Sequence, residues 1–333
     1  MARFRKFSSF TWLLLAIIAL QFVGLLGLLL AEDGRQADAA ASEVSEAPSD
    51  DAEEDIPDWL RPADPEPVRE KEPPEGALSA EDILSGAQVI AHGMGAVEGV
   101  ATLNCPEGFQ QQYERGVRVF EADLRLTSDL QVVLRHDWRS GWQAGISETA
   151  IPSLEAFCNR PLLEQYTPLS FRDLLLLMEE YPDVCIITDT KFTDAEIVTL
   201  QFKAMLSDAE ELGLSYLFDR MVIQVYSQLM YTVVDSLHHF PHYLYTLYAE
   251  GFGRTEAAFR EIAAFCDENG ILGVTMWDYW WDPSYAPIAG EYGIRAFAHT
   301  VNDPEEAQSL LDSGISAVYT DTLAPGVLAG QAG

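Results

Sequence analysis

Beyond residue 86, short apolar and β-branched runs alternate with stretches whose apolar residues recur every three or four positions. The first pattern is typical of buried strands and the second of helices with one buried face. The predicted strands are 89–91, 117–124, 184–188, 221–225, 243–247, 274–277, 295–299 and 317–320. Predicted helices include 171–181, 194–212, 255–269 and 304–313. Eight strands alternating with helices predict an α/β fold, a TIM (βα)8 barrel over residues 86–325.

One further strand interrupts the alternation. Residues 124–127 and 132–135 flank the polar segment Ser128-Asp129-Leu130-Gln131, a pattern that predicts a β-hairpin appended to the second barrel strand. If Thr127 pairs with Val132, the antiparallel register places His136 opposite Asp123.

The first thirty residues have a different pattern. Residues 1–9 contain Arg3, Arg5 and Lys6, and residues 10–30 are almost entirely apolar. About twenty apolar residues match the bilayer core, and a basic flank favours the cytoplasmic side. We therefore predict a single-pass transmembrane signal anchor at 10–30 in the cell membrane. A cleaved signal peptide is the alternative, because Ala37-Asp38-Ala39 offers small residues for cleavage. Both readings place the rest of the chain outside the cytoplasm.

Residues 31–80 are rich in Glu, Asp, Pro and Ala, with little to bury, and are predicted to form a disordered acidic linker. The whole chain has a net charge of -33. That charge argues against nucleic acid as a partner, because phosphate backbones are bound by basic surfaces. An acidic protein can still act on an anionic substrate if a bound cation reverses the local field.

The four cysteines fit neither a metal-ligand pattern nor a disulfide-rich scaffold. Outside the cytoplasm a bridge between Cys105 and Cys158 would link two loops expected on the same face of the barrel. Buried free thiols are the alternative for this pair. We expect Cys185 and Cys266 to stay reduced and buried.

Charged residues stand where the predicted strands end, which is the active face of a βα barrel. Glu121 and Asp123 lie on the second strand with the two-residue spacing that points both side chains to one side. Asp189 and Lys191 end the third strand. Three converging carboxylates repel one another unless a cation neutralises them, and such oxygen ligands suit Ca²⁺ or Mg²⁺. We therefore predict that Glu121, Asp123 and Asp189 bind a divalent cation; solvent-facing or salt-bridged acids are the alternative.

Two histidines accompany these acids. His92 follows the first strand, and His136 follows the hairpin. Beside a cation, one histidine can deprotonate the nucleophile while the other protonates the leaving alkoxide of a phosphodiester. For a single histidine, a hydrogen-bonded core residue is the alternative. Gln224 on the fourth strand and His299 at the end of the seventh also point to the same mouth.

The segments around these residues resemble the glycerophosphodiester phosphodiesterases, a family of phospholipase C-like barrels. The resemblance spans about residues 88–323, the whole predicted barrel. The matching segments are Ile90-Ala91-His92, Asn104, Val119-Phe120-Glu121-Ala122-Asp123-Leu124, Leu134-Arg135-His136-Asp137, Asp189-Thr190-Lys191, Thr300-Val301-Asn302-Asp303-Pro304 and Thr320-Asp321.

The resemblance implies the metal-dependent hydrolysis of glycerophosphodiesters to glycerol 3-phosphate and an alcohol. It makes His92 and His136 the acid/base pair. The same resemblance implies that Lys191 steadies the phosphate. The predicted substrate contacts are Lys191, Asn104, Gln224 and His299.

The sequence also departs from the family at four positions. Gly93 stands where the family has Arg, Leu103 where it has Glu, Asp189 where Glu is commoner, and His299 where it has Trp. These changes leave the histidines and the acids in place but leave the substrate headgroup open.

Two other functions stay open. A phospholipase C-like or sphingomyelinase D-like lipid phosphodiesterase would use a membrane tether and an aromatic rim. The candidate rim residues are Trp138, Trp142, Trp277, Trp280 and Trp281. A non-catalytic surface binding module is the second alternative, which the retained histidines and acids disfavour.

Overall fold

The computed structural model describes residues 68–249 and 251–328. The predicted N-terminus 1–9, the predicted anchor 10–30 and most of the predicted linker 31–80 lie outside these residues. Among the described helices, none has the length and apolarity needed to cross a membrane.

The described part of the chain contains nine strands. They are β1 (Val89–Ala91), β2 (Val119–Leu126), β3 (Val132–Leu134), β4 (Cys185–Asp189), β5 (Met221–Val225), β6 (Tyr243–Thr246), β7 (Gly273–Trp277), β8 (Arg295–His299) and β9 (Ala317–Thr320). Eight of them pair in parallel in the order β1-β9-β8-β7-β6-β5-β4-β2, and β1 also pairs with β2. The sheet therefore closes into a barrel, which confirms the predicted fold.

The described helices follow most of the strands and pack outside the barrel, except the first, which precedes β1. They are α1 (Ala80–Ser85), α2 (Pro106–Glu114), α3 (Leu154–Cys158), α4 (Phe171–Glu180), α5 (Ala195–Leu212), α6 (Gln228–Leu237), α7 (Glu256–Glu268), α8 (Tyr285–Glu291) and α9 (Pro304–Asp312). The four predicted helices are α4, α5, α7 and α9. Each begins after a side chain that accepts a hydrogen bond from the first turn: Ser170, Asp194, Thr255 and Asp303. Such N-caps fix where each helix starts.

The predicted hairpin is present, but its predicted register is wrong by one residue. β3 pairs antiparallel with β2 through Leu124 with Leu134 and Leu126 with Val132. The backbone N–H of Arg135, not of His136, therefore donates to the Asp123 carbonyl, at 2.8 Å. The loop is one residue longer than the predicted pairing requires, because Leu126 and not Thr127 is the last residue of β2 that pairs with β3.

The barrel interior changes from apolar to polar along its axis. One end is filled by an apolar cluster that includes Ile90, Val119, Val222 and Phe297, and the buried side chains of α1 belong to the same cluster. At the carboxyl ends of the strands the buried residues are polar instead: Glu121, Asp123, Asp189, Gln224, Thr246 and Thr275. Helix α1 thus closes one end, and the polar chemistry collects at the other.

The described part of the predicted linker contacts the barrel. The Lys71 amide donates to the Gly213 carbonyl at 2.8 Å, and Glu70 accepts from the Ser215 hydroxyl at 2.8 Å. Contacts with the barrel therefore begin well before residue 80, where the composition had placed the end of the linker.

All four cysteines are free thiols, so the predicted Cys105–Cys158 bridge is wrong. Cys105 is buried in an apolar cluster with Leu103 and Leu162, whereas Cys158 is exposed at the end of α3. Cys185 and Cys266 are buried and free, as expected.

Candidate active site

A cavity of about 210 Å³ lies at the carboxyl ends of the barrel strands. It is lined by His92, Glu121, His136, Asp189, Lys191, Gln224, Tyr248, Trp277, His299, Thr300 and Tyr319. Seven of the predicted site residues therefore face one space, although they come from five strands and the hairpin. The period-two alternation of the strands directs these side chains inward.

The three predicted metal ligands come together on β2 and β4. One oxygen each from Glu121, Asp123 and Asp189 lies within 4.8 Å of the others, and all three residues are buried. Oε1 of Glu121 and Oδ1 of Asp189 have no hydrogen-bond partner. Burial and the neighbouring Asp123 charge raise the pKa of Glu121, which shows how poorly the cluster tolerates a third negative charge. Unpartnered buried oxygens of this kind fit a divalent cation with hard oxygen ligands.

Lys191 lies between two of these acids. Its Nζ is 2.7 Å from Oδ1 of Asp123 and also contacts Asp189. Burial opposes the charged form of Lys191, but these carboxylates outweigh burial and raise its pKa. Lys191 also lines the cavity, so it contacts the acids on one side and borders the open space on the other.

Asn104 has a different place from the one predicted. It is completely buried and does not line the cavity. Its Nδ2 donates to Oδ2 of Asp123 at 2.7 Å, and its Oδ1 accepts from the Asp123 amide at 2.9 Å. Asn104 therefore fixes the orientation of the Asp123 carboxylate, and the structure does not bring it to the cavity with the other predicted substrate contacts.

His92 is held by a residue that follows the last strand of the barrel, β9, which pairs with β1. Its Nδ1 lies 2.9 Å from Oδ1 of Asp321, and Oδ2 of Asp321 accepts from Asn302 at 2.7 Å. Burial disfavours the imidazolium, but the hydrogen bond to Asp321 and the charges of Glu121 and Asp123 outweigh it and raise the pKa of His92 to about 9. With Asp321 on Nδ1, Nε2 is the second nitrogen of a ring that lines the cavity.

His136 has the same arrangement with a local partner. Its Nδ1 lies 2.8 Å from Oδ2 of Asp137. Oδ1 of Asp137 accepts from the backbone amides of Arg139 and Ser140 at 2.6 and 2.7 Å. Both histidines are thus oriented through Nδ1 by a carboxylate that is itself fixed by other donors.

An aromatic wall faces the acids across the cavity. The His299 ring lies 4.6 Å from Trp277, 5.1 Å from Tyr248 and 5.9 Å from Tyr319, between centroids. Burial and the nearby charges of His92 and Lys191 lower the pKa of His299 to about 3, so its ring is neutral. Its Nε2 is buried without a partner. Gln224 also lines the cavity, and the Tyr319 hydroxyl lies 3.4 Å from its Oε1.

A steric constraint explains why glycine follows His92. Gly93 has a φ of +53°, and a Cβ there would lie 2.5 Å from the Thr102 Cα. Its amide donates to Oε2 of Glu121 at 2.6 Å. The loop that returns over this position therefore excludes the arginine found in the resembling family.

One of the five proposed rim tryptophans lines the cavity, and the others pack against apolar clusters. Trp138 is buried against Phe157, and Trp280 and Trp281 pack partly buried on the main core. Of the five tryptophans considered, Trp277 is exposed and lines the cavity.

Sequence reasoning gave no role to several residues of this site. Asp321, Asn302 and Asp137 lie in the segments that resemble the family, but their contacts were not predicted. Asp321 and Asp137 bind the two histidines, and Asn302 binds Asp321. Tyr248 and Tyr319 were missed too. Tyr319 lies on β9 and Tyr248 two residues beyond the end of β6, each two residues from another inward side chain, and that spacing was the available signal.

Comparisons with known proteins agree with this fold. No family model matches the chain, and no curated protein matches its sequence. A candidate glycerophosphoryl diester phosphodiesterase from Silicibacter pomeroyi superposes with a TM-score of 0.62 and 18% identity, over 74% of this chain and 95% of that chain. An Oleispira antarctica phosphodiesterase, solved with the product sn-glycerol-3-phosphate, gives 0.58 and 17%, over 70% and 92%. A glycerophosphodiester phosphodiesterase from Parabacteroides distasonis gives 0.56 and 17%, over 71% and 93%. Similarity at this identity establishes the barrel fold.

Proposed function

We propose that this protein hydrolyses glycerophosphodiesters to glycerol 3-phosphate and an alcohol. The observation that carries the proposal is the pair of carboxylate-held histidines, His92 and His136, facing one cavity with two of three clustered acids. Hydrolysis of a phosphodiester needs a base for water and an acid for the leaving alkoxide. The solved phosphodiesterases with this fold support the same reaction class.

The two histidines divide these tasks. His92 is the general acid, because Asp321 favours its protonated form at neutral pH. His136 then accepts a proton from the attacking water through Nε2, while Asp137 holds its Nδ1. Asp137 and Asp321 keep each ring in one tautomer and one orientation, as carboxylates do in other acid/base sites.

The three acids fit a resident divalent cation, Ca²⁺ or Mg²⁺. Glu121, Asp123 and Asp189 would hold it, and Asn104 keeps Asp123 turned toward it. A cation bound there offsets charge on the phosphoryl oxygens. Lys191 supplies a second positive charge at the same edge of the cavity, where Gly93 leaves no room for an arginine.

The cavity favours a small substrate. Its volume of about 210 Å³ is below the 300–1,000 Å³ of sites that enclose drug-sized ligands, so it suits a glycerophosphate group better than a diacyl lipid. Gln224 and the neutral His299 offer uncharged hydrogen-bonding groups opposite the acids for the hydroxyls of that group. Trp277 lines the same wall, whereas Trp138 is buried and the other three rim candidates are partly buried and do not line the cavity, which disfavours a lipid-surface enzyme.

We also infer from residues 10–30 that the protein is anchored to the cell membrane, with the catalytic domain on the outer side. Treating intact cells with protease tests this inference. Loss of the catalytic domain from intact cells supports it, and protection until the membrane is opened contradicts it.

Hydrolysis of glycerophosphocholine, followed by phosphorus NMR with Mg²⁺ or Ca²⁺, tests the proposed reaction. We expect glycerol 3-phosphate as the product, and its loss in the variant His92→Ala. His239→Ala is the matched control, because His239 pairs with Asp235 on the exposed surface, away from the cavity. A cyclic phosphate product would point to the phospholipase route instead. Absence of turnover with either cation would refute the proposal.

A further inference from the structure

A charged side chain, Arg135, is buried next to the site without a carboxylate partner. Arg135 is 1% exposed, and among the described residues no salt bridge reaches it. Its guanidinium lies over the rings of Trp138 and Trp142, at 5.2 and 5.5 Å from their centroids. Burial lowers its pKa to about 10. Burying a guanidinium costs free energy, so its position calls for an explanation other than packing.

The donors of Arg135 bind the two ends of one turn. Nε donates to the Asp137 carbonyl at 2.6 Å, and Nη2 donates to the Ser140 carbonyl at 2.7 Å. The backbone of Arg135 is fixed as well, because its amide donates to the carbonyl of Asp123 on β2. The planar fork of an arginine can hold two carbonyls at once, which a lysine ammonium does less well.

This turn carries the carboxylate that orients His136. Oδ1 of Asp137 binds the amides of Arg139 and Ser140, and its Oδ2 binds Nδ1 of His136. The guanidinium thus fixes the carbonyls of the turn while the Asp137 carboxylate fixes its amides. A shift of the turn would therefore move Asp137 and, with it, the His136 ring.

We propose that Arg135 is a positioning residue for His136. It holds the turn 137–140 so that Asp137 keeps the imidazole aligned toward the cavity. The catalytic part of this inference rests on the proposed phosphodiesterase function. Its structural part, the dependence of the His136–Asp137 hydrogen bond on Arg135, does not.

The test compares Arg135→Met with Arg220→Met. Arg220 is the matched control, because it is 3% exposed and also donates to carbonyls, those of Met178, Tyr181 and Val184. Arg220 precedes β5, whereas the site gathers at the carboxyl ends of the strands. Methionine keeps most of the buried volume in both variants and removes the charge.

For Arg135→Met we expect kcat to fall about 10- to 100-fold with KM changed less than about twofold, since small misplacements of a catalytic group cost rates of this order. The melting temperature should fall only modestly, because the Asp137 and Ser140 carbonyls lose a donor while the cost of burying the guanidinium charge is removed. Arg220→Met should leave kcat unchanged. Arg135→Lys should fall between wild type and Arg135→Met, and it provides a second variant if Arg135→Met does not fold.

Proton NMR of the His136 Nδ1–H separates the two parts of the inference. Loss of this resonance in Arg135→Met, with the resonance unchanged in Arg220→Met, supports positioning. This holds even if the wild type has no turnover; the proposed function then fails, but the positioning role of Arg135 stands. An unchanged resonance together with unchanged kcat overturns the inference. A fall in kcat that merely follows a loss of stability, in both variants alike, overturns it too.

Discussion

Replacing Asp321 by Asn removes the negative charge beside His92 and keeps the shape of the side chain. The carboxylate lies 2.9 Å from Nδ1 of His92, and the histidine side chain is 20% exposed. The pKa of His92 is about 9, compared with 6.5 for a free histidine, which corresponds to about 3 kcal/mol in favour of the charged ring. A hydrogen bond to a charged group contributes roughly 1.5–3 kcal/mol of such a difference. Asp321→Asn should therefore lower this pKa by about one to two units.

The sign of the stability change follows from the direction of the pKa. Because folding raises the pKa of His92, the interaction stabilises the folded protein below about pH 6.5 and is lost as the pH rises through about 9. Asp321→Asn should therefore lower the free energy of unfolding by about 1–3 kcal/mol near pH 6 and by clearly less near pH 10.

Two measurements test this: an NMR titration of the histidine rings, and urea unfolding at both pH values. Both are made in the presence of a chelator, because a bound cation would itself lower the pKa of His92. The control is Asp235→Asn, which removes a carboxylate 2.7 Å from a histidine that is 76% exposed, His239. That change should leave the His92 titration unaffected. If Asp321→Asn left the pKa of His92 unchanged, or cost the same stability at both pH values, the assigned role of Asp321 would be refuted.

Three further predictions concern the rest of the site. His136→Ala should lower kcat about a hundredfold or more through loss of the general base, and near-normal turnover in folded protein would contradict its role. Added Ca²⁺ or Mg²⁺ should raise the melting temperature in a concentration-dependent way, because a ligand that binds the folded state stabilises it. Asp189→Asn should weaken this effect, and a melting temperature insensitive to both cations would exclude the metal site. Gly93→Ala should destabilise the protein by about 2–4 kcal/mol in urea unfolding, from the positive φ and the contact with Thr102, whereas an unchanged midpoint would show that this loop gives way.

The barrel could be predicted from the sequence because its strands are continuous apolar runs between helical patterns. Strands β1, β5, β8 and β9 have the predicted bounds, and the others are shifted by one or two residues. The hairpin register was missed because it depends on the turn. Leu130 adopts a positive φ of 60°, and the Thr127 amide donates to the Gln131 carbonyl. An apolar pattern of period two does not determine how many residues such a turn contains.

The chemistry of the site could be predicted in part. Side chains at strand ends converge by the geometry of the barrel alone, which is why His92, Glu121 and Asp189 were placed together. Their partners depend on loops that return from elsewhere. Asn104 reaches Asp123 from 19 positions earlier, and the sequence motif shows the residue but not the contact. The predicted Cys105–Cys158 bridge was wrong for the same reason. Two loops on the same face of the barrel need not lie close to each other.

The pairing of His92 with Asp321 joins positions 229 residues apart, one after the first barrel strand and the other after the last. During synthesis the first histidine emerges early, but its carboxylate partner exists only when nearly the whole barrel has been translated. A nascent or truncated chain therefore has no correctly held His92, however well its first strands have folded. Enzymatic activity should consequently appear late, when β9 inserts between β1 and β8, so that a time course of activity during refolding reports directly on closure of the barrel.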